Sequence, residues 1–514
     1  MKSFKTIRKV IAMAMLSVLA IGCNSKDGEV LEELDVNRVF APTDLTARIR
    51  QMTTIELSWY IRPDTESYVV EFAEGNGFNN IIRTLEVTPD QLPVSQQFAG
   101  ETLYSARVKG VMEGKQDSKW VSVSIQTDPE QIFLPVQDGD IQATEATLRW
   151  PAGSEVTNLL INPGNQQRPI TAIEAGDGLA TLTGLTGETE YTVLLQNNGQ
   201  LRGTAIFTTL IDIGDATLIQ PEDDISLAIA NAADGDVLVL APGAYEAFTG
   251  DIVLDKSISL RGLYPYDKPV LNVTFTMAPG LQDLELRDLE LVGLAGMDMN
   301  TVVSMSNAGN YNSVTISGCI IRDYGRQLIY GNTAGAILSN LYVDNNVVSN
   351  FVGGGGDFID FRSGNVHNVE VTNSTFINAP GERDFIRMDA GGASGSGTTA
   401  TVLIDHCTFV GVSNSKDRIT YIRYVDNDIT VTNNLFADTD GYYSNQGGTD
   451  AEISFGNNNY YNAPNFYSST ESRYDTSSNY TTFDPGFVDP ANGDYTVTDQ
   501  TLLDNGIGDP RWLQ

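Results

Sequence analysis

The sequence is poor in the residues that many catalytic and metal centres need. Its 514 residues include two His and three Cys, and the formal net charge is −35 because 31 Lys and Arg face 66 Asp and Glu. Two His exclude a multi-His zinc site and leave little material for a Ser-His-Asp triad. The negative charge argues against nucleic acid as a partner, since phosphate would be repelled over most of the surface. With 41% apolar residues and 19% charged residues, the chain is expected to fold, into about three domains.

The N-terminus has the pattern of an export signal. Four basic residues precede an apolar run from Val10 to Ile21, which is shorter than the roughly 20 residues that a membrane-spanning helix needs. The run ends in Gly22-Cys23 and resembles the lipobox of bacterial lipoproteins, in which the Cys is lipidated. We therefore predict a signal peptide over 1–22, a tether over 23–39 and a lipid anchor at Cys23. A secretory signal followed by an unmodified Cys23 is the alternative.

The polar, acidic segment 24–29 follows directly. It resembles the signals that send lipoproteins of the Bacteroidetes group to the cell surface. This resemblance implies an outer-membrane protein that is lipid-anchored and faces the cell exterior.

Short strands of alternating apolar and polar residues fill the next part of the chain, and no helical period is present. Trp59 on one strand is followed 45 residues later by Tyr104, and Trp150 is followed 41 residues later by Tyr191. A strand-borne Trp with a Tyr at this distance resembles the fibronectin type III domain, where the Tyr makes a corner contact. The resemblance implies β-sandwiches over 40–133 and 134–210. We expect both to act as spacers, because this fold carries little information about function.

From about residue 211 onward, a weak repeat of short strands replaces that pattern. The strands align with steps of 27, 28, 33 and 27 residues, and each ends in a small, amide or His residue. They begin at Val314, Leu341, Val369, Val402 and Ile429. Strands at this period, with no room for helices between them, predict a parallel β-solenoid.

Two columns of residues follow from this alignment. The first holds the residues that end successive strands, where stacked amides can hydrogen-bond along the solenoid; they are Asn345, Asn373, His406 and Asn433. In the second column, Cys319 and Cys407 lie three coils apart, which at about 4.8 Å per coil is roughly 14 Å. That distance exceeds the reach of a disulfide. We therefore predict that both Cys are free and buried.

The solenoid resembles the right-handed parallel β-helix of the pectate lyase superfamily. The resemblance rests on segment 226–245, where an amphipathic helix precedes a strand ending in Pro242-Gly243-Ala244-Tyr245, and on segment 487–495. The chain is most similar to Bacteroidetes surface lipoproteins that place sandwich domains before an uncharacterised β-helix. The implied fold is all-β, with two fibronectin type III-like β-sandwiches followed by a right-handed single-stranded parallel β-helix over 211–514. Members of the superfamily include lyases, hydrolases and proteins with no known activity.

Charged and tyrosine side chains recur on another strand of each coil. The predicted register places Tyr330, Asp360, Arg387 and Arg423 in one column on consecutive coils. Residues 322–423 carry eight basic and ten acidic residues, so this part of an acidic protein could accept an acidic polysaccharide. Arg binds a carboxylate through two parallel hydrogen bonds, and Tyr can pack against sugar rings. The predicted substrate-binding residues are Arg362, Arg383, Arg418, Tyr330 and Tyr421.

If the protein is an enzyme, the resemblance favours β-elimination of a uronate polysaccharide such as pectin. This reaction needs a cation beside the C6 carboxylate and a base for the C5 proton, and related lyases use Arg or Lys as the base, often with calcium. The predicted catalytic residues are Arg387, Arg423 and Lys416. Calcium prefers several oxygen ligands, and the predicted ligands are Asp357, Asp360 and Asp384. No lyase motif can be carried over residue by residue.

Three alternatives stay open. The protein could be a non-catalytic surface protein that binds glycans and passes them to a transporter complex. The Asp and Arg side chains could instead form only a structural salt-bridge ladder, each charge pairing with the next coil. Hydrolysis by two carboxylates among Asp360, Asp384 and Asp389 is the weaker enzymatic alternative.

Overall fold

The computed structural model describes residues 37–513 apart from 64, 215, 390–399, 425, 451 and 469–472. The signal peptide, most of the tether and Cys23 therefore lie outside the described residues. The chain forms two compact units: unit 1 holds the described residues up to 208, without 142–144 and 185–188, and unit 2 holds those two segments and everything from 209. No helix in the described ranges is long and apolar enough to cross a membrane.

The first sandwich of unit 1 is built from a three-stranded and a four-stranded antiparallel sheet. Its strands are β1 (Thr43–Arg50), β2 (Thr54–Tyr60), β3 (Ser67–Glu74), β4 (Ile81–Val87), β5 (Val94–Gln97), β6 (Leu103–Val111) and β7 (Val121–Gln126). The strand orders are β1-β2-β5 and β4-β3-β6-β7. Side chains alternate along each strand, so that one face of each sheet forms the shared core around Trp59 and Tyr68. Their rings meet edge to face at 5.2 Å.

The predicted tyrosine corner is present in this sandwich. Tyr104 begins the inward-facing side of β6 and is buried. Its hydroxyl accepts a hydrogen bond from the Ala99 N–H at 3.2 Å, five residues upstream, as expected for the fibronectin type III fold.

The second sandwich of unit 1 has sheets ordered β11-β8 and β10-β9-β12-β13. Its elements are β8 (Glu145–Arg149), β9 (Asn158–Asn162), β10 (Gln166–Pro169), α1 (Ala172–Asp177), β11 (Leu179–Thr183), β12 (Glu190–Asn197) and β13 (Gln200–Thr208). Trp150 follows β8, is buried, and packs against Phe133 at 6.2 Å. Helix α1 begins with a capping box, since Thr171 and Glu174 each bind the other's backbone N–H.

Residues 244–461 of unit 2 form a parallel β-solenoid of about eight turns, which confirms the predicted fold class. Its strands lie in three stacks. The first stack contains β14 (Thr217–Ile219), β15 (Asp236–Leu240), β17 (Ile258–Gly262), β19 (Asp283–Arg287), β22 (Gly309–Ser317), β25 (Ala336–Asp344), β28 (Asn365–Thr372), β31 (Ala400–Asp405), β34 (Asn427–Thr432) and β36 (Ser454–Gly456).

The second and third stacks share one sheet that bends at β18 (Val270–Met277), which also pairs with β16 (Ala244–Leu254). The second stack contains β20 (Glu290–Val292), β23 (Ile320–Arg322), β26 (Val347–Ser349), β29 (Thr375–Ile377), β32 (Thr408–Val410), β35 (Leu435–Ala437) and β37 (Asn459–Tyr461). The third stack contains β21 (Thr301–Ser304), β24 (Gln327–Tyr330), β27 (Ile359–Phe361), β30 (Ile386–Met388) and β33 (Thr420–Ile422). Apolar side chains from all three stacks fill one core.

The predicted register of the first stack is confirmed. Parallel pairing joins Val314, Leu341, Val369, Val402 and Ile429 in one buried column. Inside the second stack, Phe376, Phe409 and Phe436 also lie in one column. Their rings stack at 5.3 and 4.6 Å, so each coil fixes the position of the next.

The corner after each first-stack strand explains the predicted amide column. Asn345, Asn373, His406 and Asn433 all have left-handed backbone, with φ between 47° and 56°. Asn tolerates this conformation better than most residues, because its short polar side chain can hydrogen-bond locally. The conformation is therefore the reason for the pattern, and His406 is a corner residue.

The amide ladder itself lies one residue further along the chain. Asn346 and Asn434 are fully buried and accept hydrogen bonds from the Cys319 and Cys407 N–H groups at 2.8 and 2.9 Å. These side chains satisfy backbone groups that the corner leaves without a strand partner. Both Cys are free and buried, as predicted.

Short elements close the two ends of the solenoid. Helix α2 (Ile225–Asn231) begins at the N-cap Asp224 and buries Ile225 and Ile229 against the first coils. Helix α3 (Gln500–Asn505) is followed by segment 507–513, which lies along the second stack. Short 3₁₀ turns lie at Pro89–Gln91, Pro464–Phe466, Pro490–Asn492 and Pro510–Trp512.

Candidate functional site

The third stack carries most of the predicted site residues. Its strands are only three or four residues long, and buried residues flank the position that faces away from the core. On consecutive coils this position is occupied by Tyr330, Asp360, Arg387 and Tyr421. We call these four residues the outer column.

The prediction that Arg423 belongs to this column is wrong. Thr420 pairs with Ile386 and Ile422 pairs with Met388, so Tyr421 lies opposite Arg387. The predicted register was displaced by two residues, which keeps Ile422 on the buried side, so the alternation of buried residues does not distinguish the two registers. Arg423 lies one residue beyond Ile422, in line with Asp389 on the preceding coil.

Two aspartates hold Arg387 from opposite sides. Asp357 is completely buried and accepts from Arg387 Nη1 at 3.1 Å. Asp389 accepts from Arg387 Nη2 at 2.9 Å and, through its other oxygen, from Arg423 Nη1 at 3.0 Å. Arg387 is thereby fixed in one orientation, with its side chain 20% exposed.

The remaining arginines of the cluster are also paired with aspartates. Arg383 binds Asp357 at 2.9 Å, and Arg362 Nε donates to the buried Asp360 at 2.9 Å. The carboxylate of Asp384, also buried, accepts from Arg418 Nε and Nη2 at 2.6 and 2.8 Å. Structural pairing therefore engages every guanidinium of the cluster, and the five side chains stay between 20% and 47% exposed.

Tyr421 is half-buried and lies between two of these arginines. The guanidinium carbons of Arg387 and Arg418 lie 4.6 and 4.7 Å from the centre of its ring, which is cation–π distance. Tyr330, also half-buried, lies at the other end of the outer column. One aromatic ring thus lies among the charged side chains, and the other lies three coils away from it at the opposite end of the column. We call the surface formed by the outer column with Arg362 and Arg418 the platform.

Lys416 does not join this network. It is exposed, lies in a turn with left-handed backbone (φ 61°) before β33, and donates its backbone N–H to Asp440 at 3.3 Å. Its side chain has no ionic partner within the described ranges. The structure therefore brings Arg387 and Arg423 together through Asp389 and leaves Lys416 apart from them.

The pairing keeps two of the arginines charged. Burial alone would lower the pKa of Arg418, but the hydrogen bonds with Asp384 outweigh it and raise that pKa above its ordinary value. Burial would also lower the pKa of Arg387, but Asp389 and Asp357 outweigh this effect and raise that pKa above its ordinary value. A guanidinium held in its charged form can bind an anion, but it is a poor base.

Asp417 is a titratable group of this cluster that the sequence did not single out. Burial, and then the nearby charge of Asp384, raise its pKa from 3.8 to about 6. Its carboxylate lies 3.8 Å from Arg418 Nη2. Its position directly before Arg418 in the sequence indicates that it lies near the site. The burial that shifts its pKa could not be predicted from the sequence.

The predicted calcium ligands form ion pairs in this arrangement. Asp357, Asp360 and Asp384 each bind at least one arginine, and cations at their oxygens do not suit a calcium site. Among the residues that the structure describes, no group of three or more His, Cys, Asp or Glu side chains could hold a metal ion. The donor set therefore does not fit calcium, whose involvement stays a prediction from the sequence.

Comparison with known proteins finds matches to parts of the chain. Two family models match parts of unit 2, at residues 243–379 and 402–512, and both are described as domains of unknown function, DUF4957 and DUF5123. A two-domain fibronectin type III segment of chicken tenascin is 19% identical, covering 33% of this chain and 99% of that chain, with a TM-score of 0.24. Domains FN1–FN3 of chicken CNTN1 are 17% identical, covering 33% and 67%, with a TM-score of 0.16. No curated protein matches the chain.

Proposed function

We propose that the protein binds an acidic, uronate-containing polysaccharide on the platform and does not cleave it there. The observation that carries this proposal is the half-buried ring of Tyr421 between the guanidinium groups of Arg387 and Arg418. A uronate carboxylate can accept hydrogen bonds from these two arginines, which the tyrosine ring holds close to each other.

The fixed orientation of the arginines favours binding. Arg387 uses one N–H group of each nitrogen for Asp357 and Asp389, and a guanidinium has five N–H donors. Donors therefore remain for a ligand, and little side-chain entropy is lost when it binds, because the aspartates already hold the side chain.

The raised pKa values of Arg387 and Arg418 favour the binding hypothesis over the lyase hypothesis. A lyase base must release its proton near the working pH, and each ion pair makes that release harder. Lys416, the other predicted base, lies in an exposed turn apart from the network. We therefore assign the arginines to ligand binding.

The cellular setting belongs to the same proposal. A lipid anchor at Cys23 would hold the protein in the outer membrane with the platform facing the exterior, where it could pass glycans to a transporter complex. The support is the pattern of the N-terminal sequence, and mass spectrometry of the membrane-extracted protein for a diacylated Cys23 tests it.

A glycan panel tests the platform directly. We expect binding to pectic, alginate or glycosaminoglycan chains in affinity electrophoresis, with affinity falling about tenfold or more in both Arg387→Ala and Tyr421→Ala. Arg322→Ala is the matched control, because Arg322 is a half-exposed, ion-paired arginine of the second stack. Wild-type affinity in both platform variants would refute the site. Unsaturated products detected by ultraviolet absorbance would show that the protein is a lyase.

A further inference from the structure

The platform differs from an ordinary polyanion site in its charge. Each of the five arginines between 362 and 423 is paired with an aspartate, and the aspartates are Asp357, Asp360, Asp384, Asp389 and, at longer range, Asp417. Arginine and aspartate are thus equal in number here, while the whole chain carries a formal charge of −35. A chain with a carboxylate on every sugar would be repelled by the protein and would find no compensating positive field at the platform.

The order of side chains along the solenoid axis gives a second constraint. The outer column reads Tyr330, Asp360, Arg387 and Tyr421 on consecutive coils, and Arg362 pairs with Asp360. At about 4.8 Å per coil, the two tyrosines are roughly 14 Å apart. The guanidinium groups therefore lie on the last three coils of the column, two of them over Tyr421, while Tyr330 lies at the opposite end.

Resting on the proposed function, we infer that the ligand is a sparsely charged polysaccharide in which uronates alternate with neutral sugars. The chain lies along the outer column, with a neutral sugar packed on Tyr330 and a carboxylate at Arg362 and Arg387. Local hydrogen bonds, rather than long-range attraction, provide the specificity for the charged sugar.

Calorimetric titration with three oligosaccharides of equal length tests this inference. The probes are an alternating galacturonate–rhamnose oligomer, an oligogalacturonate and a neutral galactan oligomer. At low salt, we expect the alternating oligomer to bind about tenfold or more tightly than either of the others. Added salt should strengthen the binding of oligogalacturonate, because it screens repulsion by the acidic protein.

Two variants test the geometry and the charge balance. Tyr330→Ala should lower the affinity for the alternating oligomer about fivefold or more. Tyr342→Ala is the control and should leave that affinity unchanged, since Tyr342 is a half-buried tyrosine on the first stack. Asp389→Asn keeps the shape of the side chain but removes one negative charge beside Arg387 and Arg423. Oligogalacturonate should therefore bind this variant more tightly than wild type, and the ratio of its affinity to that of the alternating oligomer should rise.

The outcomes separate this inference from the proposed function. Oligogalacturonate binding as tightly as the alternating oligomer, or more tightly, at low salt would overturn the inference and leave the proposed function standing. Equal affinities in wild type and Tyr330→Ala would overturn the placement along the outer column. If none of the acidic probes binds, both proposals fall.

Discussion

At the scale of single residues, burial decides what each charge on the platform does. Asp357, Asp360 and Asp384 are buried and ion-paired, so they position arginines. Asp417 lies nearer the surface, at 3.8 Å from Arg418, and is the carboxyl group beside the platform whose pKa reaches about 6. Residue type alone does not distinguish these roles, because all four are aspartates within 61 residues of one another.

The pKa of Asp417 makes stability depend on pH. Because the folded-state pKa is about 6 and the ordinary value is 3.8, the folded protein binds a proton more tightly than the unfolded chain. Stability therefore falls as pH rises from about 4 to about 6, and does not fall further above that range. Asp417→Asn mimics the protonated form, so it should match wild type near pH 4 and exceed it by about 1–2 kcal/mol near pH 8.

Urea unfolding across this pH range measures the difference. Asp428→Asn is the control, because Asp428 is an exposed carboxylate on the first stack, and it should show no such trend. A difference between Asp417→Asn and wild type that stays constant from about pH 4 to about pH 8 would contradict the assigned pKa.

At the scale of elements, the length of a strand determines how well its register can be predicted. The first-stack strands that carried the prediction have six to nine residues and end in a left-handed corner. The alternation of Val and Ile with polar residues therefore identified their register correctly. β33 has only three residues, and its Tyr421 can be aligned with the buried aromatic Phe385 of the preceding coil. That alignment wrongly places Arg423 opposite Arg387. The pairing of aspartates with arginines was one of the alternatives that the sequence left open. Its individual partners could not be predicted, because some are two residues apart and others 26 to 34 residues apart, depending on side-chain orientation.

Segment 507–513 is expected to stabilise the second stack of the solenoid. Asp509 is buried and accepts from Thr375 Oγ1 at 2.6 Å, while its own N–H donates to Thr408 Oγ1 at 3.0 Å. Trp512 Nε1 also donates to Thr375, at 2.8 Å. Asp509→Ala should therefore destabilise the solenoid by about 2–4 kcal/mol, because it leaves buried donors without an acceptor.

Thermal unfolding followed by circular dichroism measures this effect. Asp504→Ala is the matched control, since Asp504 is an exposed aspartate in α3, and its effect should stay within about 0.5 kcal/mol. An unchanged unfolding temperature in Asp509→Ala would show that the segment contributes nothing to the stability of the second stack.

At the scale of the whole molecule, stability is divided among separate cores. One cluster of buried residues, including Trp59, belongs to the first sandwich of unit 1, and another, including Phe376, fills the solenoid of unit 2. A chain with separate cores is not expected to unfold as one cooperative body. We therefore expect at least two transitions in differential scanning calorimetry.

Core substitutions should identify these transitions. Truncation of a large buried aromatic residue lowers the free energy of unfolding by about 3–5 kcal/mol. Trp59→Ala should therefore lower the temperature of one transition, and Phe376→Ala should lower the temperature of a different one. Ile173→Ala is the control, because Ile173 is 75% exposed and should move neither. A single transition that moves in both core variants would mean that the two units unfold together, and the platform could then lose its structure whenever a sandwich unfolds.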